Sequence, residues 1–318
     1  MKKKKLITLI LTFIAFLVIS CGNQAKSSKP ATGGLDDSSP LFQVKIDGKW
    51  GYIDKTGKYV IDAQFDDAET FSEGLAAVTI GGKKGYIDKA GKMVINPQFD
   101  NADGFSEGLA PVVIGGKWGY IDKTGEMAIN PQFDLAWSFS EGLAPVMIGG
   151  KWGYIDKTGE MAINPQFDLA SDFSEGLAMV LIGGYQGKPC YIDTTGKIVI
   201  NPRFNVAYTF SEGLAVVWIG DWETGKYGYI DKTGEIVINP QFDDAGSFSE
   251  GLASVRIGDK DTGKWGYIDK TGKMVITPQF DEAAAFSQEL ARVWIEGMEN
   301  RKLGYIDKTG KYVWEPTN

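Results

Sequence analysis

Histidine is absent from all 318 residues. Its absence removes the usual general base, the commonest metal ligand and the side chain that changes charge near neutral pH. Ser-His-Asp catalysis, Cys-His catalysis and His-bound metals are excluded with it. Cysteine is scarce as well, with Cys21 and Cys190 the only two. Basic residues are in the minority, 33 against 41 acidic, for a net charge of −8. That balance argues against nucleic acid as a partner, because phosphate backbones are bound by clustered Lys and Arg. Glycine is what the chain has in excess, 41 residues, about twice the usual share. Length alone suggests about two domains, a prior that the repeats described below replace.

Residues 1–20 read as an exported leader. Lys2 to Lys5 precede an apolar run from Leu6 to Ile19, which is short of the roughly 20 residues a membrane span needs. The run ends Val18-Ile19-Ser20-Cys21, which resembles the lipobox of bacterial lipoproteins. The resemblance implies cleavage before Cys21, lipid on Cys21, and a chain held on the cell envelope, at the outer membrane or cell surface, without spanning it. Losing four lysines with the leader moves the net charge from −8 to −12. The rest of segment 21–40 is polar and rich in Ser, Gly and Lys, the composition of a flexible tether. With Cys21 lipidated, Cys190 has no disulfide partner, and it reads as a small buried residue.

From Leu41 to the C-terminus, one unit is written eight times. Gly-Tyr-Ile-Asp or its variant starts at Gly51, Gly85, Gly119, Gly153, Cys190, Gly228, Gly266 and Gly304, at spacings of 34, 34, 34, 37, 38, 38 and 38. A fixed period of this kind marks a repeat architecture spanning 41–318. In the second copy, alternation predicts strands over 75–80, 84–88 and 93–95, with Gly81-Gly82 as a two-residue hairpin. Asn96-Pro97 is expected to break the ladder, since proline lacks an N–H. The unit thus reads as a three-stranded antiparallel meander, with a short fourth strand possible around Gln98-Phe99-Asp100. The later copies place their extra residues at the first hairpin, Gly220 to Gly225 and Gly258 to Gly263, as befits exposed tips. Asp259-Lys260-Asp261 is too sparse for a calcium loop.

Comparison among the copies separates constant from variable positions. Ala76, Val78 and Ile80 recur in nearly every copy, so that face is expected to be packed. The alternate face changes from Ala77/Thr79 to Val216/Trp218, Ser254/Arg256 and Arg292/Trp294, and is expected to be exposed or at a groove. The position before the glycine of the second strand reads Trp50, Lys84, Trp118, Trp152, Pro189, Tyr227, Trp265 and Leu303. The candidate ligand surface is therefore Trp218, Arg256, Arg292 and Trp294, with Trp50, Trp118, Trp152, Tyr227 and Trp265, because aromatic and Arg side chains anchor interfaces. Gly74, Gly108, Gly142, Gly176, Gly213 and Gly251 suit turns of positive φ, and Phe65, Phe99 and their equivalents are expected to plug between units. Asp88, Asp122, Glu107 and Glu141 recur in a way that describes turns rather than a pair of catalytic carboxylates. No catalytic, metal or cofactor site is expected.

The recurring Gly-Lys-Trp-Gly-Tyr-Ile-Asp-Lys-Thr-Gly, with Asn-Pro-Gln-Phe-Asp and Phe-Ser-Glu-Gly-Leu-Ala, resembles the bacterial WG-repeat (KWG) family over about 41–316. Lys84, Pro189-Cys190, Tyr227 and Leu303 depart from the Trp-Gly core of that motif. The resemblance implies a β-rich repeat scaffold and supplies no active site. A weaker likeness is to choline-binding cell-wall repeats, whose periods are shorter. Residues 107–136 and 141–170 are identical at 29 of 30 positions, which suits an array of variable length. The expected fold is all-β: an open, curved array of three-stranded meanders, with a closed propeller-like ring as the alternative. The expected function is non-catalytic protein–protein binding in the envelope, or else glycan binding through exposed Trp and Tyr.

Overall fold

A computed structural model describes residues 40–54, 57–184, 187–221, 223–287, 289–295 and 302–317. The leader, Cys21 and the tether up to residue 39 lie outside them. The described residues form eight separate antiparallel sheets, the first of three strands and the others of four. Blade 1 comprises Phe42–Ile46, Lys49–Ile53 and Tyr59–Phe65. Blade 2 comprises Asp67–Ala68, Leu75–Ile80, Lys83–Asp88 and Met93–Phe99, hydrogen-bonded in that order. Blades 3 to 8 repeat the pattern and begin at Asn101, Leu135, Leu169, Val206, Asp244 and Glu282. The chain divides into two compact units, one ending at Gln132 with blades 1 to 3, the other starting at Phe133 with blades 4 to 8.

Four strands paired in chain order form a β-propeller blade. The three-stranded meander is thereby corrected, and blade by blade the chain matches the propeller alternative rather than an array of three-stranded meanders. The missed strand is only two residues long. In blade 2, Asp67 and Ala68 pair with Thr79 and Val78, in what the sequence presents as a connector. Two residues carry no alternation to detect.

In blade 2 Asn-Pro does not end the last strand either, which is a second correction. Lys84 pairs with Phe99 and Tyr86 with Ile95, so Asn96, Pro97 and Gln98 bulge opposite the single residue Gly85. A proline without an N–H is tolerated at a bulge. The bulge in turn demands the glycine: a Cβ on Gly85 would sit 2.5 Å from the Ile95 carbonyl oxygen and 2.7 Å from the Pro97 nitrogen. Blade 5 carries Cys190 at this position. There the last strand covers only Ile198–Ile200, and no residue pairs with Pro189 across it. Cys190 itself is fully buried, as its place among the glycines suggests.

Hydrophobic layers lie between successive blades of each unit. One layer joins Tyr86, Ile95 and Phe99 of blade 2 to Ala102, Phe105, Ala110 and Val112 of blade 3. Another joins Tyr229, Ile238 and Phe242 of blade 6 to Ala245, Phe248 and Val255 of blade 7. The phenylalanines plug between units as expected. Because a blade packs on both sides, the expected division into a packed and a free face is corrected: Ala76 and Ala77 are both buried, whereas the recurring Ile80 is 42% exposed. Burial changes along the strand rather than across it.

The repeated polar residues tie neighbours together. The Tyr229 hydroxyl donates to the Gly246 carbonyl at 2.8 Å, and its ring meets Phe248 at 4.9 Å, both in the next blade. The Ser-Glu-Gly-Leu turns put both central residues at positive φ, 55° at Glu212 and 87° at Gly213, the geometry of a two-residue hairpin with Gly second. Holding a non-glycine residue there costs free energy, and the Glu side chain offsets it. Glu212 accepts the Gly251 N–H of the following turn at 3.0 Å and pairs with Lys270 at 3.1 Å. Asp88, Asp122 and their equivalents accept N–H groups of their own Lys-Thr-Gly turns, as Asp122 does from Thr124 at 2.9 Å and Glu126 at 3.1 Å. The recurring carboxylates are turn-formers.

Candidate functional site

Eight of the nine candidate residues fall on two paired positions of the blade, and Arg292 lies two residues before the first of them. Trp218 faces Tyr227, Arg256 faces Trp265, Trp294 faces Leu303 and Arg292 faces Tyr305 across the middle strands. Trp50, Trp118 and Trp152 occupy the same position as Tyr227 in blades 1, 3 and 4, opposite Lys45, Val113 and Met147. They are not equally accessible. Trp152 and Trp218 are buried, at 4% and 7% exposure, and the other seven are half-buried. Trp152 stacks on Trp137 with centroids 6.0 Å apart and planes at 8°. Trp218 is covered by the long hairpin of its own blade, where a Cβ on Gly225 would overlap the indole. Expected exposure is thus corrected for these two, and the reason is the local loop or neighbouring ring rather than the strand face.

Three of the candidates meet. Trp218, Tyr227 and Arg256 line a cavity of about 460 Å³ between blades 6 and 7, together with Val206 and residues of both inserted hairpins. Those hairpins are ordered by their own acids. Asp221 accepts from Thr224 N at 2.8 Å, and Asp259 from Thr262 N at 2.8 Å and Asp261 N at 2.9 Å. Asp259 is held below the usual carboxylate range mainly by the Thr262 N–H and hydroxyl, then by the Asp261 N–H. These loops use their carboxylates internally. Among the described residues, no group of three or more His, Cys, Asp or Glu is arranged to hold a metal ion.

Arg256 is the unusual side chain of the cavity. Its terminal nitrogen lies 3.6 Å from Asp244 Oδ2, longer than a charge-assisted hydrogen bond, and its guanidinium carbon is 5.9 Å from the Trp265 ring centroid. Its Nε is buried without a hydrogen-bond partner. Burial pushes the Asp244 carboxyl up in pKa, against the pull of Arg256 and the Ala245 N–H. Asp243 is already occupied: it takes the Lys226 ammonium and the Gly258 N–H at 2.9 Å. Burial opposes its charge, but Lys226, Gly258 and Arg256 together keep its pKa below normal. Arg292 and Trp294 occupy blade 8, where the Arg292 guanidinium lies 5.8 Å from the Trp294 ring centroid, and they do not line this cavity.

Exposed aromatics that the repeat comparison passed over are Phe42, Trp137, Tyr208 and Trp314. Trp137 and Tyr208 occupy the variable position just after the two-residue strand, read as a connector. Trp314 stands where the first and sixth copies carry Ile61 and Ile238, a departure visible in the sequence.

Comparison with known proteins agrees with this geometry. A crystal structure of a eukaryotic initiation factor matches with a TM-score of 0.64 at 13% identity, over 92% of this chain and 90% of that one. At that identity the likeness concerns the fold alone. Hsv2 of Kluyveromyces lactis matches at 10% identity and a TM-score of 0.47, over 79% of this chain and 97% of its own, too loosely to bear on the argument. No curated protein sequence matches. The sequence model of the WG-containing repeat matches seven times, over 50–83, 85–118, 118–152, 152–185, 191–221, 227–260 and 265–297. Since these matches cover most of the chain, and the eight blades repeat in register with them, the chain belongs to the WG-containing repeat family.

Proposed function

We propose that this chain is a non-catalytic scaffold of the cell envelope that binds protein partners. One observation carries the reading. The last strand of each blade is the end of its sheet, and in blades 5 to 8 it presents Val199, Val237, Val275 and Val313, at 44%, 48%, 44% and 59% exposure. Repeated β-branched residues on unpaired edge strands are what a soluble protein avoids unless something covers them. An added strand or an apolar face of a partner would do so. The repeated tyrosines, serines and carboxylates are already used in holding blades together, which leaves no obvious reacting constellation.

The test is a pull-down from envelope extracts with the full chain and with a Val237→Asp/Val275→Asp variant. These side chains are exposed, so folding is expected to survive and captured partner to fall at least tenfold. Unchanged capture by the variant would remove the edge strands from the interface. A glycan-binding reading is favoured by a different observation, the exposed rings of Trp137, Tyr208 and Trp314, and a glycan array with the same protein would support it.

Attachment through Cys21 is part of the proposal and rests on the Val18-Ile19-Ser20-Cys21 sequence. Cys21→Ala should abolish labelling by radioactive palmitate and move the protein from the membrane fraction to the soluble one. Retained labelling would sink the anchor.

A further inference from the structure

We propose that the cavity between blades 6 and 7 is a carboxylate-recognition pocket, which receives an acidic side chain of a protein partner on Arg256. The identity of the occupant as a protein rests on the scaffold reading above. The chemistry rests on the cavity itself. A guanidinium presents its donors in a planar fork that fits a carboxylate, and leaving one of those donors buried and unpaired is costly. Arg256 has such a donor in Nε, which is buried and has no surface left for a ligand; the donors it can offer the cavity are its terminal nitrogens, whose ion-pair partner among the described residues, Asp244, stands 3.6 Å away.

The acids around the cavity reach Arg256 by charge rather than by a close hydrogen bond. Asp243 is held by Lys226 and the Gly258 N–H. Asp259 is turned into its own loop by Thr262 and Asp261. Glu223 and Lys260, one on each hairpin and both in the lining, cancel in charge. Asp243, Asp244 and Asp259 all feel the Arg256 charge, but among the described residues Arg256 has its ion-pair contact with Asp244 alone, at 3.6 Å, and burial disfavours the charged form of Asp244. Val206, Trp218 and Tyr227 supply an apolar wall on which the methylenes of a glutamate could lie, and about 460 Å³ is room for a side chain and adjoining backbone.

Only four arginines occur in the chain, Arg203, Arg256, Arg292 and Arg301, so the Nε–H region of an NMR spectrum of the arginine-labelled full chain is readable. Arg256→Lys identifies the resonance by its loss. Titration of the wild-type chain with acetyl-Gly-Gly-Glu-Gly-Gly-amide is expected to shift the Arg256 Nε–H signal saturably. The glutamine version of the peptide and sodium acetate should each require at least tenfold higher concentration. An unmoved signal, or equal response to the glutamine peptide, would overturn the carboxylate assignment. Acetate acting as well as the glutamate peptide would overturn the protein side chain as occupant and leave a small-anion site. The outcomes are separable from those of the pull-down: partner captured with a silent Arg256 removes the pocket and leaves the scaffold, whereas a responsive Arg256 with no captured partner does the reverse.

Discussion

Gly228→Ala is expected to destabilise the protein by about 3 kcal/mol or more, the range for overpacking against atoms that cannot move aside. The new methyl would lie 2.6 Å from the Ile238 carbonyl oxygen and 2.8 Å from the Pro240 nitrogen. Both atoms belong to the bulged backbone of the same blade, and they are fixed by pairs on either side, Tyr229 with Ile238 and Tyr227 with Phe242. Relief would require shortening the last strand. Blade 5 has done that: where Cys190 stands, the strand ends at Ile200. Cys190→Ala should accordingly cost only about 1 kcal/mol, the loss of one buried sulfur atom. Denaturant unfolding of both variants decides the matter. Equal effects at the two positions would mean that the glycine is not what the bulge requires.

Asp103→Asn is expected to stabilise the protein by about 2 kcal/mol at pH 7.5 and by almost nothing near pH 3.5. Burial raises the Asp103 carboxyl to about 6, with the negative charge of Glu69 adding and Lys84 opposing. The folded state therefore holds this proton more tightly than the unfolded state, where the ordinary value is 3.8. Stability is then fully present below pH 3.8, falls as pH rises through the interval to about 6, and stays reduced above it. A shift of about two units corresponds to roughly 3 kcal/mol, reduced here because the side chain is only half-buried and solvent screens it. Nothing else in the fold asks for an acid at this position. The equivalent residues are Glu69, Trp137, Ser171, Tyr208, Gly246 and Ala284, and what the blade uses is the main chain: the Tyr86 hydroxyl donates to the Asp103 carbonyl at 2.7 Å. Thermal unfolding of wild type and variant across pH 3.5–8 measures the effect. Parallel curves would show that Asp103 titrates normally.

The contrast between these two positions shows what was legible in the chain. Gly228 and its seven equivalents could be recognised as constrained because the unit is written eight times, and the same comparison found the turn glycines, the plugging phenylalanines and the anomalous Cys190. Periodicity located the repeats, and the family match follows them closely. The two-residue first strands, such as Asp67–Ala68, were not legible, since a pair of residues has no period. The last strands were cut short in the reading because proline usually ends a ladder, whereas here one glycine on the partner strand makes room for a bulge. Exposure was the least legible property. A position that varies from Thr79 to Trp218 to Arg256 suggests a free face, but blades packed on both sides bury it to different degrees, and the inserted hairpin of blade 6 closes over Trp218.

The candidate site was read in the same partial way. Trp218 and Arg256 stand out for breaking the pattern and Tyr227 as one of the aromatics before the strand-two glycine, and the three share one cavity. That Arg292 and Trp294 stand apart from it follows from their blade, which residue type alone does not reveal. The exposed valine row escaped notice altogether, because Val199, Val237, Val275 and Val313 recur in alternating strands and recurrence suggests a core.

The central claim is that these exposed edge strands, not the recurring turn residues, meet the partner. Photocrosslinking in the producing cell measures it most directly, with a benzophenone amino acid placed at 237, at 275 and, for comparison, at the recurring turn residue Thr124 of blade 3. Adducts of one discrete larger mass, formed from 237 and 275 and not from 124, are the predicted result. No adduct from 237 or 275, in cells where the full chain still co-purifies with a protein partner, would contradict it.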